Sequence, residues 1–101
     1  MIRHIVLFRR HPGMAADDPA VVAAVAAAAG LGRRIPGILA WSFGPNVTER
    51  EIAYDYGLVA DLPDQQALRA YLEHPAHLRV ITELRGVATW VIADLVVDGS
   101  G

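Results

Sequence analysis

The chain has 101 residues and a formal net charge of −2, which predicts one domain over 1–101 with a modest core and argues against nucleic acid or an anionic membrane as partner. It has no cysteine, so disulfides, thiolate catalysis and cysteine-held zinc are excluded together. Hydrophobic residues reach 53%, mostly Ala and Val, as in a protein that buries surface on more than one side.

The first ten residues are too short and too interrupted by charge for a signal peptide. The uncharged run 20–32 falls short of the roughly 20 apolar residues of a membrane span. A cytoplasmic location is the expectation. The segment 2–9 alternates and reads as a strand, with Ile2, His4, Val6 and Phe8 on one face and Arg3, Ile5, Leu7 and Arg9 on the other. Both faces are largely apolar, so both are expected to be covered. His11-Pro12-Gly13 turns the chain away. Asp17-Asp18-Pro19 puts an acid at a helix cap and proline at the first helical position. The helix runs over 20–29, stopped by Gly30 or Gly32; its alanines allow close approach to a neighbour.

After the Ile35-Pro36-Gly37 turn, 38–44 reads as a second strand with Leu39, Trp41 and Phe43 on one face. A polar connection over 45–51 leads to a third strand over 53–62, with Tyr54, Tyr56, Leu58 and Ala60 on one side. Pro63-Asp64 opens a second helix in which Leu68, Tyr71 and Leu72 share a stripe. Pro75 interrupts it. Helix resumes through Leu78, Ile81 and Leu84 to Gly86, and 89–97 is the last strand, followed by a loose tail over 98–101. The order β-α-β-β-α-β predicts an α+β, ferredoxin-like fold with a four-stranded antiparallel sheet. Helices on one face leave the other sheet face apolar and open, which predicts a homodimer through the sheet faces.

The chemistry concentrates in Tyr71-Leu72-Glu73-His74-Pro75-Ala76-His77, a phenol and two imidazoles around a proline. The break places them where one helix ends and another begins. His74, before proline, is pushed out of helical geometry and reads as a cap or a solvent-facing group. His77 sits in the first turn after the break, where the positive helix end disfavours imidazolium by about 0.3–1 kcal/mol if exposed, leaving it able to accept a proton. Tyr71, less than two turns earlier, can converge with it, and such a pair could polarise a carbonyl and take an α-proton. A packed tyrosine beside a surface histidine is the alternative. In this topology the first and last strands are antiparallel neighbours, so His4 lies near Asp94, whose carboxylate can fix the imidazole tautomer or simply form a satisfied buried pair. The expected pocket wall is Val6, Phe8, Tyr56, Leu58, Trp90 and Ile92, residues equally suited to plain core. His74 and His77 have the spacing of a metal pair but no third ligand, so no metal and no cofactor are expected.

These segments resemble the stress-responsive A/B barrel (Dabb) family. The resemblance rests on Ile2-Arg3-His4-Ile5-Val6-Leu7-Phe8, Ile35-Pro36-Gly37-Ile38, Trp41-Ser42-Phe43-Gly44-Pro45-Asn46, Tyr54-Asp55-Tyr56-Gly57-Leu58-Val59, the Tyr71 to His77 segment and Ile92-Ala93-Asp94, nearly the whole chain. It implies a dimeric α/β barrel of two facing ferredoxin-like sheets. The best-understood activity in the family is a plant polyketide cyclase, in which a strand-one histidine, a helix tyrosine and the second histidine of His-Pro-x-His line a pocket, and the last two drive an aldol closure without a cofactor. Carried over, these positions are His4, Tyr71 and His77. Where Tyr56 and about Ala28 stand here, that cyclase has a histidine and a tyrosine, which implies a pocket of different shape and a different ligand. The expectation is a cofactor-independent enzyme acting on an enolisable, polyketide-like carbonyl, with His77 as base, Tyr71 as acid or oxyanion donor and His4 orienting. A binding or stress-response barrel without turnover, a purely structural dimer and a cofactor-free monooxygenase are the alternatives.

Overall fold

The computed structural model describes residues 1–98. The strands are β1 (Ile2–Arg10), β2 (Ala40–Pro45), β3 (Tyr56–Leu62) and β4 (Ala88–Val96). The helices are α1 (Pro19–Ala29), a single turn α2 (Leu31–Arg34), α3 (Gln65–Glu73) and α4 (Pro75–Arg85). The strands form one antiparallel sheet in the order β2-β3-β1-β4, the ferredoxin-like arrangement the sequence predicts. Residues 99–101 of the expected tail lie outside the described residues.

Local chemistry sets each boundary. Asp18 caps α1 by accepting from the Ala20 N–H at 2.9 Å, with Pro19 at the first helical position. Asp64 caps α3 through the Ala67 N–H at 2.8 Å. His74 closes α3, its N–H bonded to the Tyr71 carbonyl, and opens α4, its Nδ1 accepting from the Ala76 N–H at 3.0 Å. Its extended ψ of 137° is what the following Pro75 demands. Gly13 and Gly37 take φ of 83° and 91°, the turns expected after the first strand and before the second.

As expected, α1 ends at Ala29 with Gly30 as its cap, and because Gly30 keeps a right-handed helical φ of −78° the single turn α2 follows at once. Three expectations shift. Leu39 precedes β2 and is exposed rather than sharing the inner face with Trp41 and Phe43. β3 begins at Tyr56, because Asp55 turns its carboxylate to the Arg10 N–H at 2.8 Å and Tyr54 lies under the Arg9 guanidinium, 4.2 Å from the ring centre. On α4 the buried stripe is Ala76, Val80 and Leu84, while Leu78 points outward.

The helices cover the sheet face that carries Ile2, His4, Val6 and Phe8 of β1. These pack with Leu58, Ala60 and Leu62 of β3 and with Val21, Ala24 and Ala28 of α1 to form the core. The expected cover on the second face is absent from the single chain: Leu7 is 42% exposed, Val91 49% and Leu95 45%.

Candidate active site

A cavity of about 120 Å³ lies between the sheet and the helix pair α3–α4. His4, Tyr71 and His77 all line it, together with Val6 and Phe8 of β1, Leu58 of β3, and Trp90 and Ile92 of β4. The helical side adds Ala28, Leu31, Leu72, Val80, Ile81 and Leu84. Sequence reasoning missed this helical wall. The signal was available: His77, Val80, Ile81 and Leu84 fall on one helical stripe, so anchoring the α4 period on His77 instead of Leu78 finds them.

Tyr56 does not line this cavity. His4 pairs with Ala60 while Tyr56 pairs with Phe8, two inward-facing positions further along the ladder. There its ring stacks on Phe43 at 6.4 Å and its hydroxyl accepts from Arg10 Nη1 at 3.1 Å. The ladder thus carries Tyr56 away from the polar end of the cavity.

The polar groups converge. The Tyr71 ring centre lies 4.8 Å from that of His77 and 5.7 Å from that of His4. Tyr71 is the last buried residue of α3, and the break at His74-Pro75 turns α4 so that His77 comes back over it. His77 Nδ1–H donates to the Leu72 carbonyl at 2.9 Å, one of the carbonyls the end of α3 leaves unpaired. That bond fixes the tautomer and leaves Nε2 with its lone pair.

His4 sits opposite Asp94 in the β1–β4 ladder, and its Nδ1–H donates to Asp94 Oδ1 at 2.5 Å. Among the described residues, neither imidazole Nε2 nor the Tyr71 hydroxyl has a hydrogen-bond partner, yet no buried side-chain nitrogen or oxygen is left unsatisfied. These three atoms therefore each keep some accessible surface, on residues that all line the cavity.

Electrostatics complete the arrangement. Desolvation holds the His77 imidazolium below the ordinary histidine range, against the Leu72 carbonyl, which favours the charged form; His4 and His74 push it further down. Burial, more than the helix N-terminus, keeps this imidazole neutral. Burial likewise pushes the Tyr71 phenol well above its ordinary value, so it stays protonated as a donor. The pair can take a proton from one atom and give a hydrogen bond to another a few ångströms away. Among the described residues no cluster of three or more potential metal ligands forms. No helix among them is long and apolar enough to cross a membrane.

The fold and site define an α+β, ferredoxin-like protein with an apolar cavity holding a Tyr–His pair and a carboxylate-anchored histidine. The stress responsive A/B barrel domain model matches residues 2–97, and the chain belongs to that family. An uncharacterised protein of Streptomyces coelicolor is 45% identical over 94 residues, which are 93% of this chain and 97% of that one. A dimeric ferredoxin-like protein of unknown function from Thermobifida fusca superimposes with a TM-score of 0.82 at 29% identity, covering 95% of this chain and 90% of that one. The fold is also shared with a cofactor-independent oxygenase of Streptomyces nogalater (TM-score 0.71, 24% identity, 96% and 92% covered). A hydroxynitrile lyase of Passiflora edulis shares it too (TM-score 0.79, 14% identity, 97% and 94% covered).

Proposed function

We propose that the protein is a cofactor-independent acid–base enzyme acting on an enolisable carbonyl compound, in an aldol-type reaction of the polyketide-cyclase kind. The observation that carries this reading is the neutral Tyr71–His77 pair, 4.8 Å between ring centres, opening on one cavity. His77 Nε2 takes the proton from the carbon next to the carbonyl, and the C–H electron pair becomes the enolate C=C bond. The carbonyl π pair moves to oxygen, where the Tyr71 hydroxyl donates a hydrogen bond. The enolate carbon then attacks a second carbonyl of the same molecule. A C–C bond forms, and the proton on His77 passes to the new alkoxide. His4, anchored by Asp94, presents Nε2 to the same space and orients the substrate. A cytoplasmic setting accompanies this reading.

We propose further that the protein acts as a homodimer through its open sheet face, where Ile5, Leu7, Val59, Val91 and Leu95 form an apolar surface. Ferredoxin-like neighbours from Thermobifida fusca, Bacteroides fragilis and Jannaschia are dimeric, which supports the same assembly here.

The test is deuterium exchange at the central carbon of a panel of 1,3-dicarbonyl compounds in D2O, followed by NMR. Pentane-2,4-dione, whose background exchange is measured in parallel, is one of the panel. The expected result is catalysed exchange that falls by about 10²- to 10⁴-fold in His77→Ala, the usual contribution of a general base. The rate should stay level from pH 6.5 towards 10, because the base ionises below 6.5 and the phenol above 10.0. Exchange unaffected by His77→Ala removes this histidine from the chemistry. Binding without any exchange makes the protein a carrier.

A further inference from the structure

The size, charge and polarity of the cavity say more about its occupant than the acid–base pair alone. The volume is about 120 Å³. A cavity of roughly 150 Å³ is enough for one benzene molecule, so this smaller one encloses about five heavy atoms, and the rest of a longer ligand has to reach out of it. The polar groups gather at one end. His4 pairs with Asp94 across the β1–β4 ladder, and Tyr71 and His77 close over the same end. Along β1 from His4, past Val6, comes Phe8, which pairs with Trp90 and packs against its ring at 5.9 Å. Four residues of strand separate the two ends, about 13 Å between Cα atoms.

No lysine or arginine lines the cavity. Behind its polar end stands the Asp94 carboxylate, bonded to His4, which disfavours an anion there. His77, the other candidate for positive charge, is held neutral by burial. A carboxylate entering here would lose its water and meet no cation, whereas a ketone oxygen would find the Tyr71 hydroxyl. Ile92, 53% exposed on the edge strand β4, marks the side open to solvent.

Resting on the acid–base reading above, we propose that the site takes a short, uncharged dicarbonyl compound, about five of whose heavy atoms the cavity encloses. Its keto group lies at Tyr71 and its apolar end lies towards Phe8 and Trp90, and the site turns away a carboxylate of equal size. A full-length polyketide chain does not fit this cavity; only its reacting end would.

Pentane-2,4-dione and acetoacetate have the same number of heavy atoms and differ by an acetyl group against a carboxylate, which makes them probes matched in size and opposed in charge. Each is titrated into the full-length protein at pH 7.5 while the imidazole, Tyr71 and Trp90 ring resonances are followed by NMR. The diketone should shift the resonances of His77, Tyr71 and Trp90 and show methyl-to-ring contacts with Phe8 or Trp90. Acetoacetate should bind at least about tenfold more weakly, the affinity cost of one buried polar group left unpaired. A ratio below about tenfold, or diketone shifts confined to surface residues, overturns the proposal. Because binding is read without turnover, the two readings fail separately. A diketone that binds as described without accelerated exchange leaves the size and charge rule standing and removes the enzyme. Exchange catalysed equally on both probes keeps the enzyme and removes the rule.

Discussion

Arg3 and His4 are neighbours on β1, point to opposite faces of the sheet and each meet an aspartate from an adjacent strand. The outcomes differ. Arg3 makes two hydrogen bonds to Asp61, at 2.8 and 3.1 Å, and the fork matches the carboxylate so completely that the pair closes on itself. His4 makes one bond to Asp94, and its second nitrogen is left facing a cavity. The first pair borders an apolar sheet face that lacks a cover; the second lies behind a covered face that keeps a hollow. An aspartate beside a basic strand residue therefore marks a structural clasp or a working group according to whether the base retains a free ring atom.

The comparison breaks most sharply on the open face. A charge at Leu7, in the Leu7→Asp variant, would be buried unpaired in any sheet-to-sheet dimer, a cost of several kcal/mol that no rim contact recovers. The expected outcome is a monomer by light scattering at micromolar concentration, with the folded circular dichroism spectrum kept. The cavity lies under the opposite, helix-covered face of the sheet, so the diketone should still bind the monomer. A dimer that persists in Leu7→Asp moves the interface off this face. Loss of ligand binding together with the dimer would show that the two faces are coupled.

A subtler perturbation enters from the helix side. A Cβ on Gly32 would stand 2.3 Å from Trp41 Cγ, so this position tolerates no side chain unless Trp41 moves. Trp41 also donates from Nε1 to the Ala29 carbonyl at 3.2 Å, and its ring lies 6.3 Å from that of Tyr71. Gly32→Ala is expected to cost about 1–3 kcal/mol in urea denaturation, as overpacking does, and to shift the Tyr71 ring resonances. Unchanged stability with an unmoved Trp41 would mean that α2 can slide away from β2.

Much of this was written in the sequence, and the reason is local. Asp18-Pro19, Asp64 and His74-Pro75 are capping signals whose physics acts within a few residues, so the helix starts follow from the residue types alone. The His4–Asp94 pairing followed from topology and strand parity together. What escaped depends on partners distant in sequence. Gly32 reads as a helix stop until Trp41 is placed against it. Asp55 reads as strand until Arg10 claims its carboxylate. Tyr56 reads as pocket wall until Phe43 and Arg10 hold it at the far end of the sheet. The outward-facing Leu78 took the α4 stripe out of phase because hydrophobicity alone favoured it over the half-buried His77.

The smallest expected effect isolates the clasp itself. The hydrogen bonds from Arg3, more than its charge alone, hold the Asp61 carboxyl below the ordinary carboxylate range, although partial burial works the other way. A carboxyl whose folded pKa is depressed lends stability that is present above its unfolded value of 3.8 and is lost as the pH falls through the lower folded value. Asp61→Asn should therefore melt slightly below the parent protein at neutral pH, and the gap should close as both are titrated below 3.8. The effect is small because the Arg3 side chain is 41% exposed and water screens the pair. If a dimer buries the clasp, the gap should widen with protein concentration. A gap that stays constant with both concentration and pH would mean that the carboxylate charge contributes nothing, leaving hydrogen-bond geometry, which asparagine partly keeps, to hold the rim of the open face.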